Sequence, residues 1–335
     1  MTYRSPRAAV LTGIGSWLPP DELTNAELEA RLDTTDEWIR SRTGIASRRR
    51  VSPGMSTSDL AVEAGLRALK SSGRDSVDGV VLATTTPDEL CPATAPQVAA
   101  RLGLATVPAF DVSAVCAGFL YGLSTAAGLL ATGAADRVLL IAAEAFTTLI
   151  DPDDRSTAAI FGDGAGAVVL RAGDPADPGA IGPVVLGSDG SRSDLAEVPA
   201  GGARQRVPTP DAAPYLQMQG REIFRHAVRH MTAACRTATE AVGWQLADVD
   251  RLVAHQANIR IVTAVADGLG IAPERRASNI ERVGNTAGAS VPVLLAEENA
   301  SGGLVPGQRV LLTAFGGGLA WGATTLVWPS LTSVD

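Results

Sequence analysis

The chain has 335 residues, of which 46% are hydrophobic, 4% are aromatic and 19% are charged, and its net charge is −8 at pH 7. A negative net charge and few aromatic side chains argue against a partner with a phosphate backbone, so nucleic-acid binding is not expected. The sequence shows no signal-peptide pattern and no run of 18 uninterrupted apolar residues, which predicts a cytoplasmic protein that does not associate with membranes.

Apolar runs alternate with helical periodicity along the first half, a pattern typical of an α/β fold. Strands are predicted at 8–14, 78–84, 109–112 and 137–142, and helices at 24–32, 57–71, 96–102 and 117–130. Thr24 and Glu27 form a predicted capping box at the first helix. The basic run Arg48–Arg50 is expected to be a solvated loop, with phosphate binding as the alternative. A glycine-rich turn then leads into a strand within 160–171.

The second half repeats this alternation after a connector rich in Pro, Gly and Asp. Strands are predicted at 181–188, 251–254, 309–314 and 324–328, and helices at 219–242, 259–269 and 291–300. The segment 191–214 is polar and rich in proline, and is expected to be a long surface excursion. The connector divides the chain into predicted halves 1–175 and 176–335.

The two halves resemble each other in sequence. VDGVVLA at Val77 matches VDRLVAH at Val249, and RVLLIA at Arg137 matches RVLLTA at Arg309, both 172 residues apart. FDVSAVC, which ends at Cys116, aligns with SNIERVG at an offset of 168. This internal repeat predicts two similar units with parallel sheets covered by helices, packed as one body. It also places Cys116 and the later Asn285 at nearly equivalent turns on the interface between them.

Cys116 is the candidate nucleophile because it lies where a strand gives way to an almost wholly apolar helix. Unpaired backbone N–H groups and the positive end of the helix dipole favour a thiolate at that position. The alternative is an inert cysteine of the core. The other cysteines, Cys91 and Cys235, form no metal-type or disulfide-type spacing with it, so reduced thiols and no bound metal are expected.

His255 is the favoured imidazole among three histidines, because it follows the strand at 251–254 and α/β proteins place ligands at such strand ends. The alternative is a loop histidine satisfied by Gln256 or Asn258. His226 and His230 are four residues apart on one helix and are expected at its solvated or boundary face.

Two further motifs could contact a ligand oxygen. Asn285, in RVGNTAGASVP, could donate a hydrogen bond to a carbonyl that becomes negative, or could be an ordinary turn or N-cap residue. The glycines of TAFGGGLAWG could bring backbone N–H groups against a ligand, or form a flexible turn. FGDGAGAVV enters a strand and lacks GK[ST], so it is not expected to bind a nucleotide.

Together these motifs resemble one family. DVSAVCAGF, HQANIRI, GNTAGAS and AFGGGLAWG, in this order and spacing, are similar to β-ketoacyl-acyl carrier protein synthase III, as are DTTDEWIRSRTGI and DRSTAAIFGDGAGAVVL. The similarity runs from about residue 8 to residue 328. It implies a thiolase-like duplicated α/β fold, in which two similar halves form a five-layered α-β-α-β-α body.

The resemblance also implies roles for residues. Cys116 would accept the acyl group, His255 and Asn285 would bind the thioester carbonyl during decarboxylation, and the N–H groups of Cys116 and Gly317 would form the oxyanion hole. Phe315 would pack near the nucleophile, and Cys91 would reach the partner's acyl pocket. Coenzyme A and the pantetheine arm would contact Thr34, Trp38, Arg42, Arg155, Gly220, Phe224, Asn258 and Arg260, the last of which would also meet carrier protein or phosphate.

The implied reaction is acylation of Cys116 by an acyl-CoA, followed by decarboxylative condensation with a malonyl thioester on acyl carrier protein. The implied enzyme is a homodimer without a resident cofactor, since coenzyme A thioesters are its substrates. Two departures stand out: NTAGAS replaces the common NTSAAS, and Cys91 replaces a bulky aromatic residue, which predicts a roomier primer pocket.

Three alternatives remain open. Related enzymes of antibiotic pathways prime a polyketide with an unusual starter, or transfer an acyl group without forming a carbon–carbon bond; the presence of Asn285 favours condensation. A dinucleotide-binding oxidoreductase is disfavoured by the lack of a complete GxGxxG motif between strand and helix. A non-catalytic binding protein on the same fold is disfavoured by the complete set of Cys, His and Asn.

Overall fold

The computed structural model describes residues 7–104 and 106–334, whose strands and helices alternate along most of the chain. The strands are β1 (Ala8–Trp17), β2 (Asp21–Thr24), β3 (Ser47–Arg50), β4 (Gly79–Ala83), β5 (Ala109–Val112), β6 (Arg137–Glu144), β7 (Gly164–Gly173), β8 (Val185–Ser188), β9 (Ala196–Glu197), β10 (Gln217–Met218), β11 (Arg251–Ala254), β12 (Arg309–Gly316) and β13 (Ala320–Val327). The helices are α1 (Asn25–Glu29), α2 (Asp36–Thr43), α3 (Thr57–Ser71), α4 (Ala95–Arg101), α5 (Gly118–Thr132), α6 (Arg155–Ala158), α7 (Gly220–Ala241), α8 (Ile259–Leu269), α9 (Ile280–Val283) and α10 (Ser290–Ser301).

Two sheets carry the fold. The first has the order β1-β7-β6-β4-β5 and the second the order β11-β12-β13-β8. The prediction of parallel sheets holds for β4, β5 and β6 and for β11 and β12, but is wrong for β1, β7, β8 and β13, which pair antiparallel. In the second sheet the reason is the short connection between β12 and β13, which is too short for the crossover that a parallel pair requires.

Five layers result. Helices α5 and α10 lie between the sheets, since each contacts strands of both. Helices α3 and α4 cover the outer face of the first sheet, and α7 covers the outer face of the second with α8 packed against it. The largest buried cluster joins α5 and α10 to the inner faces of both sheets, with Phe119, Leu123, Leu294 and Leu312 among its members. This α-β-α-β-α arrangement is the predicted thiolase-like architecture.

The offset of 172 residues extends further through the structure than the sequence matches indicate. It relates β6 to β12, the start of β4 to that of β11, and the start of α5 to that of α10. It also relates the single-turn 3₁₀ helices Val115–Ala117 and Ala287–Ala289, which lead directly into α5 and α10. The structural counterpart of Cys116 is therefore Gly288, and the predicted near-equivalence of Cys116 and Asn285 is shifted by three residues.

Local predictions near the N-terminus have mixed outcomes. The capping box of Thr24 and Glu27 is present. The expected loop at Arg48–Arg50 is wrong, because these residues belong to β3. Arg50 is exposed as expected, but Arg48 is fully buried. The Arg48 guanidinium donates to Leu23 O, Asn25 Oδ1 and Ala159 O at 3.0, 2.8 and 2.8 Å, which ties β2, α1 and the end of α6 together.

The apolar character of the central helix also meets the length and composition of a membrane span. Within the described ranges, Val115–Thr132 is the stretch with this property, and half of it is buried inside the fold. Its buried side faces both sheets.

Candidate active site

One pocket with a cavity volume of about 140 Å³ opens where the two halves meet. Cys116 reaches it from the turn before α5, His255 from the end of β11, and Asn285 from the loop before α10. The remaining lining is mostly apolar and includes Phe146, Phe161, Leu216, Met218, Ile223, Met231, Phe315, Gly317 and Leu319. The structure thus brings together the three predicted catalytic residues, Gly317 and Phe315.

Cys116 lies on a strained turn. The preceding Val115 has φ +47°, a left-handed conformation that branched residues rarely adopt. Gly316, at the end of β12, approaches this turn so closely that a Cβ there would lie 2.7 Å from the Cys116 backbone nitrogen. Only glycine permits this approach, which brings the Cys116 N–H and Gly317 to the same wall of the pocket.

The expectation of a resting thiolate is wrong. Burial and the nearby Glu144 carboxyl raise the pKa of Cys116 to about 12, and its backbone hydrogen bonding offsets only part of that rise. Desolvation dominates because the sulfur is enclosed between the two halves, and a charge in so apolar a site is more costly than the helix terminus can compensate. Cys116 is therefore a neutral thiol near pH 7.

His255 is held by its backbone and leaves its ring available. Its N–H donates to Thr313 O at 2.8 Å, which extends the pairing of β11 with β12 by one residue. The ring Nδ1 is buried and has no hydrogen-bond partner among residues 7–104 and 106–334, so neither Gln256 nor Asn258 satisfies it. Burial lowers the pKa of His255 to about 3, which keeps the imidazole neutral over the physiological range.

Asn285 is fixed in both backbone and side chain. Its backbone N–H donates to Ile160 O and its carbonyl accepts from Gly162 N–H, both at 2.9 Å, which ties the second half to the first. Its Oδ1 accepts from Ala287 N–H at 2.9 Å. Since an N–H can only donate to the amide oxygen, this bond fixes the carboxamide and leaves Nδ2 as the free donor.

A basic groove continues outward from the pocket and shares Ile160, Gly220, Asn258 and Ile261 with it. Five arginines line the groove although the chain is acidic overall: Arg42, Arg155, Arg221, Arg225 and Arg260. The Arg155 guanidinium lies 5.5 Å from the centre of the Trp38 ring, and that of Arg260 lies 5.9 Å from the Phe224 ring. Positive charge beside flat apolar rings suits a ligand that carries phosphate and an aromatic base.

Three predicted residues are placed differently from the others. Thr34 is outside the lining of both the pocket and the groove. Cys91 is exposed and lies outside this chain's own pocket. Asn258 lines the groove, but its Oδ1 caps α8 by accepting from Arg260 N–H and its Nδ2 donates to Arg42 O.

Sequence reasoning missed Arg221, Arg225 and Glu144. The two arginines are in the first turns of α7, and their charge beside Gly220 was the available signal. Glu144 ends β6, is fully buried, and stands out only as a lone acid after an apolar run. Among residues 7–104 and 106–334, no three His, Cys, Asp or Glu side chains are grouped so that they could hold a metal ion.

Comparison with known proteins gives consistent matches. Two family models, described as 3-oxoacyl-[acyl-carrier-protein (ACP)] synthase III and as the C-terminal part of the same enzyme, match residues 110–190 and 239–328. A protein of Streptomyces coelicolor named beta-ketoacyl-[acyl-carrier-protein] synthase III 3 is 59% identical over 98% of this chain and 99% of its own length.

Solved structures agree with these sequence matches. The crystal structure of 3-oxoacyl-(acyl carrier protein) synthase III from Pseudomonas aeruginosa superposes with a TM-score of 0.92 at 48% identity, covering 97% of this chain and 100% of the other. The priming beta-ketosynthase from the R1128 polyketide biosynthetic pathway superposes with a TM-score of 0.91 at 36% identity, covering 98% and 99%.

Proposed function

The chain belongs to the β-ketoacyl-acyl carrier protein synthase III family, and from that premise we propose how its own residues carry out the condensation. The family's enzymes join an acyl primer to a malonyl unit to begin a fatty acid or polyketide chain. The observation that carries the proposal is the meeting of Cys116, His255 and Asn285 in one pocket at the end of a basic groove.

In the first step Cys116 takes the acyl group from an acyl-CoA. The sulfur attacks the thioester carbonyl, whose oxygen becomes negative and accepts hydrogen bonds from the backbone N–H groups of Cys116 and Gly317. The carbon–sulfur bond to coenzyme A breaks, and the proton of the Cys116 thiol passes to the departing coenzyme A thiolate. Because one thiol replaces another, no free thiolate has to persist in the apolar pocket.

In the second step a malonyl thioester enters the same pocket. Loss of carbon dioxide leaves an enolate, whose oxygen accepts hydrogen bonds from the neutral His255 ring and from Asn285 Nδ2. The enolate carbon attacks the acyl carbonyl on Cys116, the carbon–sulfur bond breaks, and the departing sulfur takes up a proton from water, the one proton that the condensation consumes. A 3-ketoacyl thioester and the free enzyme result, so the kinetics are ping-pong.

The groove provides the route for both substrates. Trp38 and Arg155 suit the adenine and phosphate end of coenzyme A, and Gly220, Phe224 and Asn258 line the path of the pantetheine arm. Arg221, Arg225 and Arg260 at the same groove offer positive charge to an acidic acyl carrier protein.

A cytoplasmic homodimer without a metal or other resident cofactor is part of the proposal. Strand β5 forms the edge of the first sheet and its residues are half-exposed, so it can pair with the same strand of a second copy. Leu90 and Cys91 are exposed in the loop between β4 and α4, from which they could reach the partner's pocket. The proposed boundary between the two halves, at residues 175 and 176, lies within the connector between β7 and β8.

Intact-mass measurement after incubation with a panel of acyl-CoAs tests the proposal. An acyl adduct on the native enzyme, absent in Cys116→Ala, is the expected result, and its mass identifies the primer. Malonyl-acyl carrier protein is then added. A 3-ketoacyl product with release of carbon dioxide supports condensation, whereas loss of the adduct without that product contradicts it and indicates simple acyl transfer.

A further inference from the structure

Glu144 is a buried carboxyl group that the proposed reaction does not use. It is fully buried at the end of β6, and its Oε2 accepts from Thr85 N–H at 3.0 Å and from the Thr86 hydroxyl at 3.1 Å. Within the described part of the chain, no donor reaches its Oε1 with hydrogen-bond geometry. Burial raises the pKa of Glu144 to about 7, and interaction with the backbone N–H of Gly288 is among the effects that oppose this rise.

The internal repeat shows which position of the first half the Glu144 carboxyl group occupies relative to the oxyanion hole. At the offset of 172 residues, Glu144 corresponds to Gly316, Ala145 to Gly317, and Gly288 to Cys116. In the half that carries the nucleophile, Gly316 has no side chain, and the N–H groups of Cys116 and Gly317 remain free for the thioester oxygen.

In the other half the equivalent space is filled. The Cβ that Gly288 lacks would lie 2.9 Å from Glu144 Oε1, as the Cβ that Gly316 lacks would lie 2.7 Å from the Cys116 nitrogen. The N–H of Ala145, the counterpart of Gly317, donates to the Thr86 hydroxyl at 3.0 Å, and that hydroxyl donates to Glu144. The donor on Ala145 is thus already used within the protein, and the Glu144 carboxyl lies against Gly288, which carries the other donor of this second hole.

We propose that Glu144 is a positioning residue that fills a second copy of the oxyanion hole, an inference that rests on the proposed function. By filling it, Glu144 fixes the turn that orients Asn285. Gly288 follows Ala287, whose N–H holds Asn285 Oδ1, so an anchor on Gly288 also holds the carboxamide. The same carboxyl also acts on Cys116 through space and raises its pKa. Glu144 otherwise contacts Thr85, Thr86 and Gly288, none of which has a titratable side chain.

Two variants of Glu144 separate its charge from its shape. Glu144→Gln keeps the shape and removes the charge, so the pH profile of Cys116 alkylation by iodoacetamide should move to lower pH, with alkylation at pH 8 roughly three- to tenfold faster. Glu144→Ala removes the anchor as well, so condensation with malonyl-acyl carrier protein should fall at least about tenfold further than acylation by acyl-CoA. Glu144→Gln should recover most of that loss.

A matched control is available in the same core. Asp163 is also fully buried with its pKa raised by burial, to about 6, but it contacts Val51 and Thr147 and is not among the groups that act on Cys116. Asp163→Asn should leave the alkylation profile unmoved. Gly288→Ala, which places a methyl group against Glu144, should lower condensation more than acylation.

The proposal is overturned if Glu144→Gln leaves the alkylation profile in place, or if Glu144→Ala slows acylation and condensation equally. Either result leaves the acyl adduct on native Cys116 intact. Failure of the proposed function itself has a different signature, because native enzyme would then form no adduct at all.

Discussion

Val115 and Ala287 share a rare backbone conformation, with φ +47° and +44°, although they are 172 residues apart. Each begins the single 3₁₀ turn that leads into one of the two central helices. The turns are in contact with each other, so the nucleophile and the loop of Asn285 approach from opposite halves. Strained residues of this kind persist where the surrounding structure holds them. Val115 lines the pocket, and Ala287 is fully buried behind it.

Asn285→Ala should separate the two steps of the reaction. Without the Nδ2 donor the enolate loses one hydrogen bond, so we expect condensation to fall about 100-fold or more while acylation of Cys116 changes only severalfold. Single-turnover acylation, followed by mass spectrometry, and product formation with malonyl-acyl carrier protein measure the two steps.

Asn285→Asp is the control for that experiment. As a carboxylate, its side chain can still accept from Ala287 N–H but cannot donate, so the comparison is made at a pH at which the new side chain is ionised. If the donor matters, this variant is as poor in condensation as Asn285→Ala; near-native condensation in Asn285→Asp would instead show that only the turn is required.

Trp38→Ala should weaken the use of coenzyme A esters. Stacking of a base on an aromatic ring contributes about 1–3 kcal/mol, so KM for acyl-CoA should rise roughly tenfold with little change in kcat. Steady-state kinetics with acyl-CoA and with the matching acyl-pantetheine make the comparison, because the shorter substrate has no adenine. An equal rise in KM for both substrates would contradict stacking at Trp38.

Leu90→Asp should disrupt the proposed dimer. Leu90 is 69% exposed in the isolated chain, where an added charge has little effect on stability, but within an interface the carboxylate would be desolvated. Sedimentation velocity should show dissociation at micromolar concentration. Leu66→Asp on α3, where the leucine is 46% exposed, is the matched control and should leave the sedimentation coefficient unchanged.

His255 should make the protein less stable in acid. Its pKa is about 3 when folded against 6.5 for a free side chain, so the unfolded state binds a proton first. Its contribution is complete above pH 6.5 and is lost as the pH falls towards 3, at up to about 1.4 kcal/mol per pH unit. Urea unfolding at a series of pH values gives the free energy of unfolding against pH, and this dependence should be shallower for His255→Gln than for the native protein. An identical pH dependence would contradict the assignment.

Much of the fold could be predicted from the sequence because local signals agree with tertiary contacts. The buried strands RVLLIA and RVLLTA, the capping box at Thr24 and the apolar helix after Cys116 all specify their structure within a few residues. The motifs around Cys116, His255 and Asn285 also predicted one shared pocket, because each follows or precedes an element of the repeated unit.

The features that were not predicted depend on distant residues. The antiparallel strands follow from loop lengths that strand patterns do not encode, and Arg48 is buried because carbonyls from three separate segments surround its guanidinium. The pKa of Cys116 depends on how completely the second half covers it and on Glu144, 28 positions along the chain. The sequence match of FDVSAVC with SNIERVG has an offset of 168, whereas the turns correspond at 172, so the sequence did not identify Gly288 as the counterpart of Cys116.

The correspondence of Cys116 and Gly288 in the internal repeat limits the number of acyl groups that one chain can carry at these turns. Duplication gave this chain two similar helix-opening turns, but only one of them carries a sulfur atom, and the other has no side chain with which to bond a carbonyl carbon. If Cys116 is the acylated residue, as proposed, each polypeptide holds a single acyl group at this pair of turns, and the proposed dimer holds two, however large the excess of donor.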